Sequence, residues 1–89
     1  MSLFVKEYII MYKETLDKII AIIVDELGLE ESEINENSKI TSDLDVNSLE
    51  LLNVIMAIEE DFGITFEESK LRKIKTVGDI VKAVEDIKA

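Results

Sequence analysis

The sequence predicts an all-α fold: a four-helix bundle with a long first loop and a short third helix. Three observations carry this. Apolar residues recur at three- and four-residue spacing over most of the chain. Proline is absent, so nothing breaks a long helix. Glycines and capping residues stand where the periodic runs stop. No stretch alternates like a half-buried strand, and there is no internal repeat or low-complexity tract.

The first helix is expected over residues 4–27. Leu16, Ile19, Ile20, Ile23 and Leu27 form its apolar stripe, and Gly28 supplies a left-handed end over which Leu29 can fold back. Phe4, Tyr8 and Met11 either extend that stripe or make a separate turn. Residues 1–12 are accordingly read as an N-terminal extension, in part a remnant of cloning, ahead of a domain over 13–89; Met11 is an alternative start. Residues 30–47 are polar, acidic and aperiodic, a long loop anchored by Ile34, Ile40 and Leu44.

The second helix is expected over 48–62, capped by Asn47 or Ser48 and stopped by Gly63 before apolar Ile64. At about 100° per residue, Glu50, Asn53, Ala57, Glu60 and Asp61 share one arc. Leu49, Leu51, Leu52, Ile55, Ile58 and Phe62 lie mostly outside it. A helix so widely apolar is expected between others, with one stripe in water. Residues 67–73 are expected to form the short third helix, with Phe66, Leu71 and Ile74 toward the core. Thr76-Val77-Gly78-Asp79 resembles a capping box, and Ile80, Val81, Val84 and Ile87 follow on a fourth helix.

With 89 residues, nearly half of them apolar, the chain is one domain with a small core. It has no cysteine and no histidine. Disulfides, thiolate or imidazole zinc sites, and Ser–His or Cys–His nucleophile pairs are therefore excluded. An enzyme of its own is not expected, because so short a chain has little room to assemble a substrate pocket.

Net charge is −10, and it is unevenly spread. Residues 1–27 sum to −2, residues 28–62 to −9, and residues 63–89 to +1. Nucleic acid and anionic membranes would be repelled, and basic protein surfaces are the natural complement. The run Ile19-Ile20-Ala21-Ile22-Ile23-Val24 is too short to span a bilayer, and the N-terminus does not read as a signal peptide. A cytoplasmic monomer is expected.

The start of the second helix is the informative spot. Ser48 would sit where backbone N–H groups leave the helix end and suit a phosphate. Taken alone, a serine there is only a cap. The acids around it do not make a calcium loop: Asp43-x-Asp45-x-Asn47 matches three ligands of an EF-hand, but Ser48 stands at the glycine position and Val54 at that of the bidentate glutamate. No metal site is expected.

In its order, however, Asp43-Leu44-Asp45-Val46-Asn47-Ser48-Leu49 resembles the phosphopantetheine attachment motif of acyl carrier proteins, usually Asp-Leu-Gly-x-Asp-Ser-Leu. The run from Glu50 to Ile64 resembles that family's second helix without a gap. Residues 74–81 resemble the start of its last helix, and the similarity covers about residues 13–88.

The resemblance implies an acyl-carrier-protein-like bundle. It implies covalent 4'-phosphopantetheine on Ser48, donated by coenzyme A through a phosphopantetheinyl transferase with Mg²⁺. Asp43, Asp45, Asn47 and Leu49 would flank the attachment. The thiol missing from the chain would come with the arm. Acyl groups would ride on it as thioesters, sheltered between the helices. Partners would be acyl-loading and acyl-processing enzymes with basic docking patches. They would meet Glu50, Asn53, Glu59 and Glu60, with Met56 as an apolar contact.

The chain departs from the family pattern at three places. Asn47 replaces an aspartate, removing a charge that transferases meet, so modification is expected either to be slower or to need a dedicated transferase. Asp45 replaces a glycine. Asn53 replaces a usual glutamate, while Lys70, Arg72, Lys73 and Lys75 make the third helix basic. The alternative reading is an interaction module that keeps the carrier fold without the arm.

Overall fold

The periodicity of the N-terminal third is realised as one uninterrupted helix, α1, Leu3–Leu27, of 25 residues. In the computed structural model, which describes residues 3–88, Phe4, Tyr8 and Met11 continue this helix rather than forming a separate turn. Gly28 ends it at φ 70°, its N–H donating to the Val24 carbonyl at 2.9 Å. A single 3₁₀ turn, Glu31–Glu33, interrupts the loop that follows. Then come α2, Ser48–Phe62, α3, Glu68–Leu71, and α4, Val77–Lys88.

The long loop is held at both side-chain and backbone level. Ile34, Ile40 and Leu44 are buried as expected, and Val46 joins them. The polar stretch also pairs with the chain before α4. The Ile40 N–H donates to the Lys75 carbonyl at 3.0 Å, Val77 to Ser38 at 3.1 Å and Gly78 to Glu36 at 2.8 Å. These bonds give loop residues the partners that a helix would have supplied. They also explain why α3 is four residues rather than the seven expected. After Leu71 the chain tightens into three-residue turns, with Lys73 N–H on Lys70 and Ile74 N–H on Leu71. It then extends to meet the loop at the Lys39–Thr76 bridge.

The core lies where α1, α2 and α4 meet. Ile19, Ile58, Val77, Ile80, Val81 and Val84 are fully buried. The α1–α4 contact contains a polar pair that periodicity does not announce: the buried Thr15 hydroxyl donates to the Glu85 carboxylate. The Lys88 amine lies 3.8 Å from the same carboxylate, giving the buried charge a counter-ion.

Helix α2 runs antiparallel to α1. Its Leu51 meets Ile23 and Leu27 at the end of α1, while Ala57 and Asp61 lie beside Ile22 and Lys18. The amines of Lys18 and Lys88 stand 5.7 and 5.6 Å from the Phe62 ring, closing that end of the bundle.

One expectation for α2 is corrected. Val54, Ile55 and Ile58 are buried, but Leu49 and Leu52 are exposed, beside Met56, which was expected at the surface. Helix α2 is not enclosed on all its apolar sides, because one turn of α3 is too short to cover the far face.

Candidate functional site

The tip of α2 is built by a reciprocal cap. The Glu50 N–H donates to Asn47 Oδ1 at 2.8 Å, and the Asn47 N–H donates to Glu50 Oε1 at 3.1 Å. Asparagine thus does the work expected of the usual aspartate in holding the helix start. The chain reaches this cap through Asp45, at φ 53°, the left-handed region where glycine is usual and aspartate is among the more tolerated replacements. Asp43 turns back on the loop, its Oδ2 accepting from the Lys39 N–H at 2.8 Å. That carboxylate is spent on the turn, and the described residues contain no group of three or more acids placed to hold a metal ion.

Ser48 is the first residue of α2, and it is exposed. The cap takes up the N–H groups of Asn47 and Glu50, leaving those of Ser48 and Leu49 at the positive end of the helix. A phosphate ester on the Ser48 oxygen would lie against these donors.

Ser48 also lies at the rim of an apolar cleft of about 150 Å³, walled by Leu51, Leu52, Ile55, Leu71 and Ile74. Behind Leu51 is a second, much smaller cavity of about 10 Å³, inside the core between Ile23, Leu44, Val54 and Ile80. Leu51 is therefore the one side chain common to the open cleft and the interior. Helical periodicity assigns Leu71 and Ile74 to the core. Their position as the cleft's far wall depends on α3 lying across from α2, which no local pattern encodes.

The side chains expected to meet partners fall into two groups. Asn53, Met56 and Glu60 are exposed on the same face as Leu49 and Leu52. Glu50 and Glu59 are half-buried and engaged: Glu50 in the cap, and Glu59 through Oε2, which accepts from the Phe66 N–H at 2.9 Å and fixes the exit from α2. The surface leading away from Ser48 is thus an apolar stripe, Leu49–Leu52–Met56, edged by Asn53 and Glu60. The exposed leucines are what the sequence reading missed. No local pattern marks them as exposed, since their burial depends on how far α3 reaches across α2.

No helix among the described residues is long and apolar enough to cross a membrane. A family model described as "Phosphopantetheine attachment site" matches residues 17–84. The chain is similar to the acyl carrier protein of Thermotoga maritima, at 40% identity over 73 residues, covering 82% of this chain and 90% of that one. It is also similar to the acyl carrier protein of Petrotoga mobilis, at 42% identity over 73 residues, covering 82% and 86%.

Proposed function

This chain belongs to the acyl carrier protein family, which carries acyl groups on 4'-phosphopantetheine, and we propose that Ser48 is the residue that bears the arm. The observation that carries this reading is the coincidence of three features at one atom. The Ser48 hydroxyl is exposed, it stands at the donor-rich tip of α2, and it opens onto the apolar cleft.

In the modification, the Ser48 oxygen attacks the β-phosphate of coenzyme A. A new P–O bond forms, the pyrophosphate link breaks, adenosine bisphosphate leaves, and the serine proton passes to a base on the transferase. The cap keeps Ser48 at the surface throughout, so the transferase reaches it without unfolding the helix. When bound, the arm supplies the thiol on which acyl groups are held as thioesters. The chain's own part is to shield and present. The walls of Leu51, Leu52, Ile55, Leu71 and Ile74 offer an acyl chain an apolar bed beginning at the attachment point. The catalytic steps belong to partner enzymes.

Docking uses the stripe Leu49–Leu52–Met56 for contact area. The acids Glu60 and Asp61 attract basic surfaces, giving fast and salt-sensitive association. The test is intact-mass spectrometry after incubation with coenzyme A, Mg²⁺ and a phosphopantetheinyl transferase. One phosphopantetheine is expected per chain, and none in Ser48→Ala. Addition that survives Ser48→Ala, or a chain unmodified by several transferases, would overturn the assignment.

A further inference from the structure

Charge on this molecule is divided by the cleft that opens beside Ser48. One wall, with Leu51, Leu52 and Ile55, belongs to α2, which also carries the exposed acids Glu60 and Asp61. The other wall, Leu71 and Ile74, belongs to the stretch from α3 towards α4. There Lys70, Arg72, Lys73 and Lys75 fall within six residues, and no acid stands among them. Ile74 also walls an open depression of about 250 Å³, in which Lys70, Lys73 and, from α4, Lys82 come together.

All three lysines are exposed, and none is in an ion pair: among the described residues those pairs are Arg72–Glu68 and Lys88–Glu85. Two acids share the depression, Asp79 and Asp86. Asp79 is already spent, its Oδ2 accepting from the N–H groups of Lys75 and Thr76 at 2.9 and 3.0 Å. Three ammonium groups therefore stand against the carboxylate of Asp86, in a molecule of net charge −10.

We propose that these lysines dock an acidic patch on the enzymes that receive the arm, so that a fitting partner is two-signed: basic where it meets α2, acidic where it meets α3 and α4. The proposal rests on Ser48 bearing the arm. Size puts both walls in one footprint. A standard interface takes about 800 Å² from each partner, a patch roughly 30 Å across. The whole domain measures 40 × 29 × 21 Å. A protein surface centred on Ser48 therefore covers both sides of the cleft. If it were basic throughout, it would gain at Glu60 and Asp61 and be repelled at Lys70 and Lys73. A two-signed surface gains on both sides.

Other occupants fit less well. A small anion is held best by converging backbone donors. The N–H groups of Lys75, Thr76, Val77 and Gly78 are all taken, by Asp79, Ser38 and Glu36. What remains is long-stemmed ammonium groups spread over a surface, which match the spread carboxylates of another protein. An anionic membrane or a nucleic acid would bring uniform negative charge against the −9 of residues 28–62.

The first test measures KM for the chain as substrate of a phosphopantetheinyl transferase whose own docking face is basic throughout. Lys70→Glu with Lys73→Glu should lower KM roughly tenfold at low salt with kcat unchanged, and the gain should vanish at about 0.5 M salt. Lys82 is left in place because its charge also acts on Asp79. Lys6→Glu with Lys13→Glu makes the same change of net charge on exposed residues in the half of α1 away from Leu27, beside which α2 begins. That control should move KM by less than about twofold. Lys70→Arg with Lys73→Arg keeps the charge and should behave as the parent. The second test needs neither the arm nor a variant. Isotope-labelled chain is titrated at low salt with hexaglutamate and followed by NMR. The amides of Lys70, Lys73 and Lys82 should shift and those of residues 49–60 should not, while hexalysine should do the reverse. A Ser48 that no transferase modifies would end the carrier reading and still leave this titration to be read. A KM indifferent to the Lys70 and Lys73 reversal, an equal fall in the Lys6 and Lys13 control, or hexaglutamate that shifts none of the three lysine amides would overturn the proposal.

Discussion

At Gly78 three parts of the chain converge on the volume of one missing side chain. A Cβ there would lie 2.9 Å from the Glu36 carbonyl oxygen and 3.4 Å from the Tyr12 hydroxyl. The Gly78 N–H donates to that same carbonyl at 2.8 Å, so neither backbone can give way without losing the bond. Gly78→Ala should destabilise the fold by about 1–3 kcal/mol through overpacking, lowering the melting temperature by roughly 5–15 °C. Tyr12 reports on the same spot. Burial first, then its hydrogen bond to Glu36 and that carboxylate's charge, push the phenol up to about 12. Its folded value is raised, so its contribution is intact below the ordinary pH 10 and is lost as pH rises through about 12. In Gly78→Ala the methyl group displaces Tyr12 from Glu36, and an ultraviolet titration should find the phenol ionising closer to 10. A variant as stable as the parent, with an unmoved phenol, would show that the contact is slack.

At the scale of elements, the helix ends were the most legible part of the sequence, because capping is local. Gly28 and Gly63 stop α1 and α2 at positive φ, and Thr76 and Asp79 close a reciprocal box at the start of α4. The start of α2 at Ser48 was legible for the same reason, since the Asn47 cap is set by a short run of consecutive residues. The face of α2 was not. Leu49 and Leu52 satisfy any apolar pattern, and only the brevity of α3 leaves them in water. The pairing of residues 36–40 with 75–78 was equally hidden, because it joins backbone groups and constrains no side-chain type. The α4 box makes its own prediction. Burial would raise the Asp79 carboxyl, but the N–H groups of Lys75 and Thr76, the Thr76 side chain and the Lys82 charge outweigh it and hold it below the usual carboxylate range. A depressed folded value means that Asp79 stabilises the fold above the ordinary carboxylate pKa, and that this is lost as pH falls through the lower folded value. Asp79→Ala should cost about 1 kcal/mol at pH 7, the usual cost of a lost cap. In thermal melts its deficit against the parent should shrink as pH is lowered below about 4. A deficit that stays constant to pH 2 would mean the carboxylate contributes nothing beyond packing.

For the whole molecule the decisive quantity is the field. Among the described residues fifteen buried apolar side chains oppose a net charge of −10, and residues 28–62 carry −9 of it on the loop and α2. Among the described residues, the ion pairs Arg72–Glu68 and Lys88–Glu85 both lie in the last third of the chain. Neither neutralises the acidic segment, so the fold stands against its own repulsion. Screening should relieve it. The Debye length falls from about 30 Å at 0.01 M salt to about 10 Å at 0.1 M, which is less than the longer dimensions of the bundle. A gain of about 1 kcal/mol would raise the melting temperature by roughly 4–8 °C for a domain of this size. Location makes the prediction sharper. Glu31 and Glu33 are exposed in the 3₁₀ turn and hold no side-chain partner. Replacing both with glutamine should raise the melting temperature in low salt and flatten its dependence on salt. Neutralising Glu68 should do the reverse, since it breaks an ion pair in the one region with a surplus of bases. If the melting temperature is flat between low and high salt, or if the glutamines in the loop destabilise, then the acids are well enough solvated to cost the fold nothing. The charge would then act on partners alone.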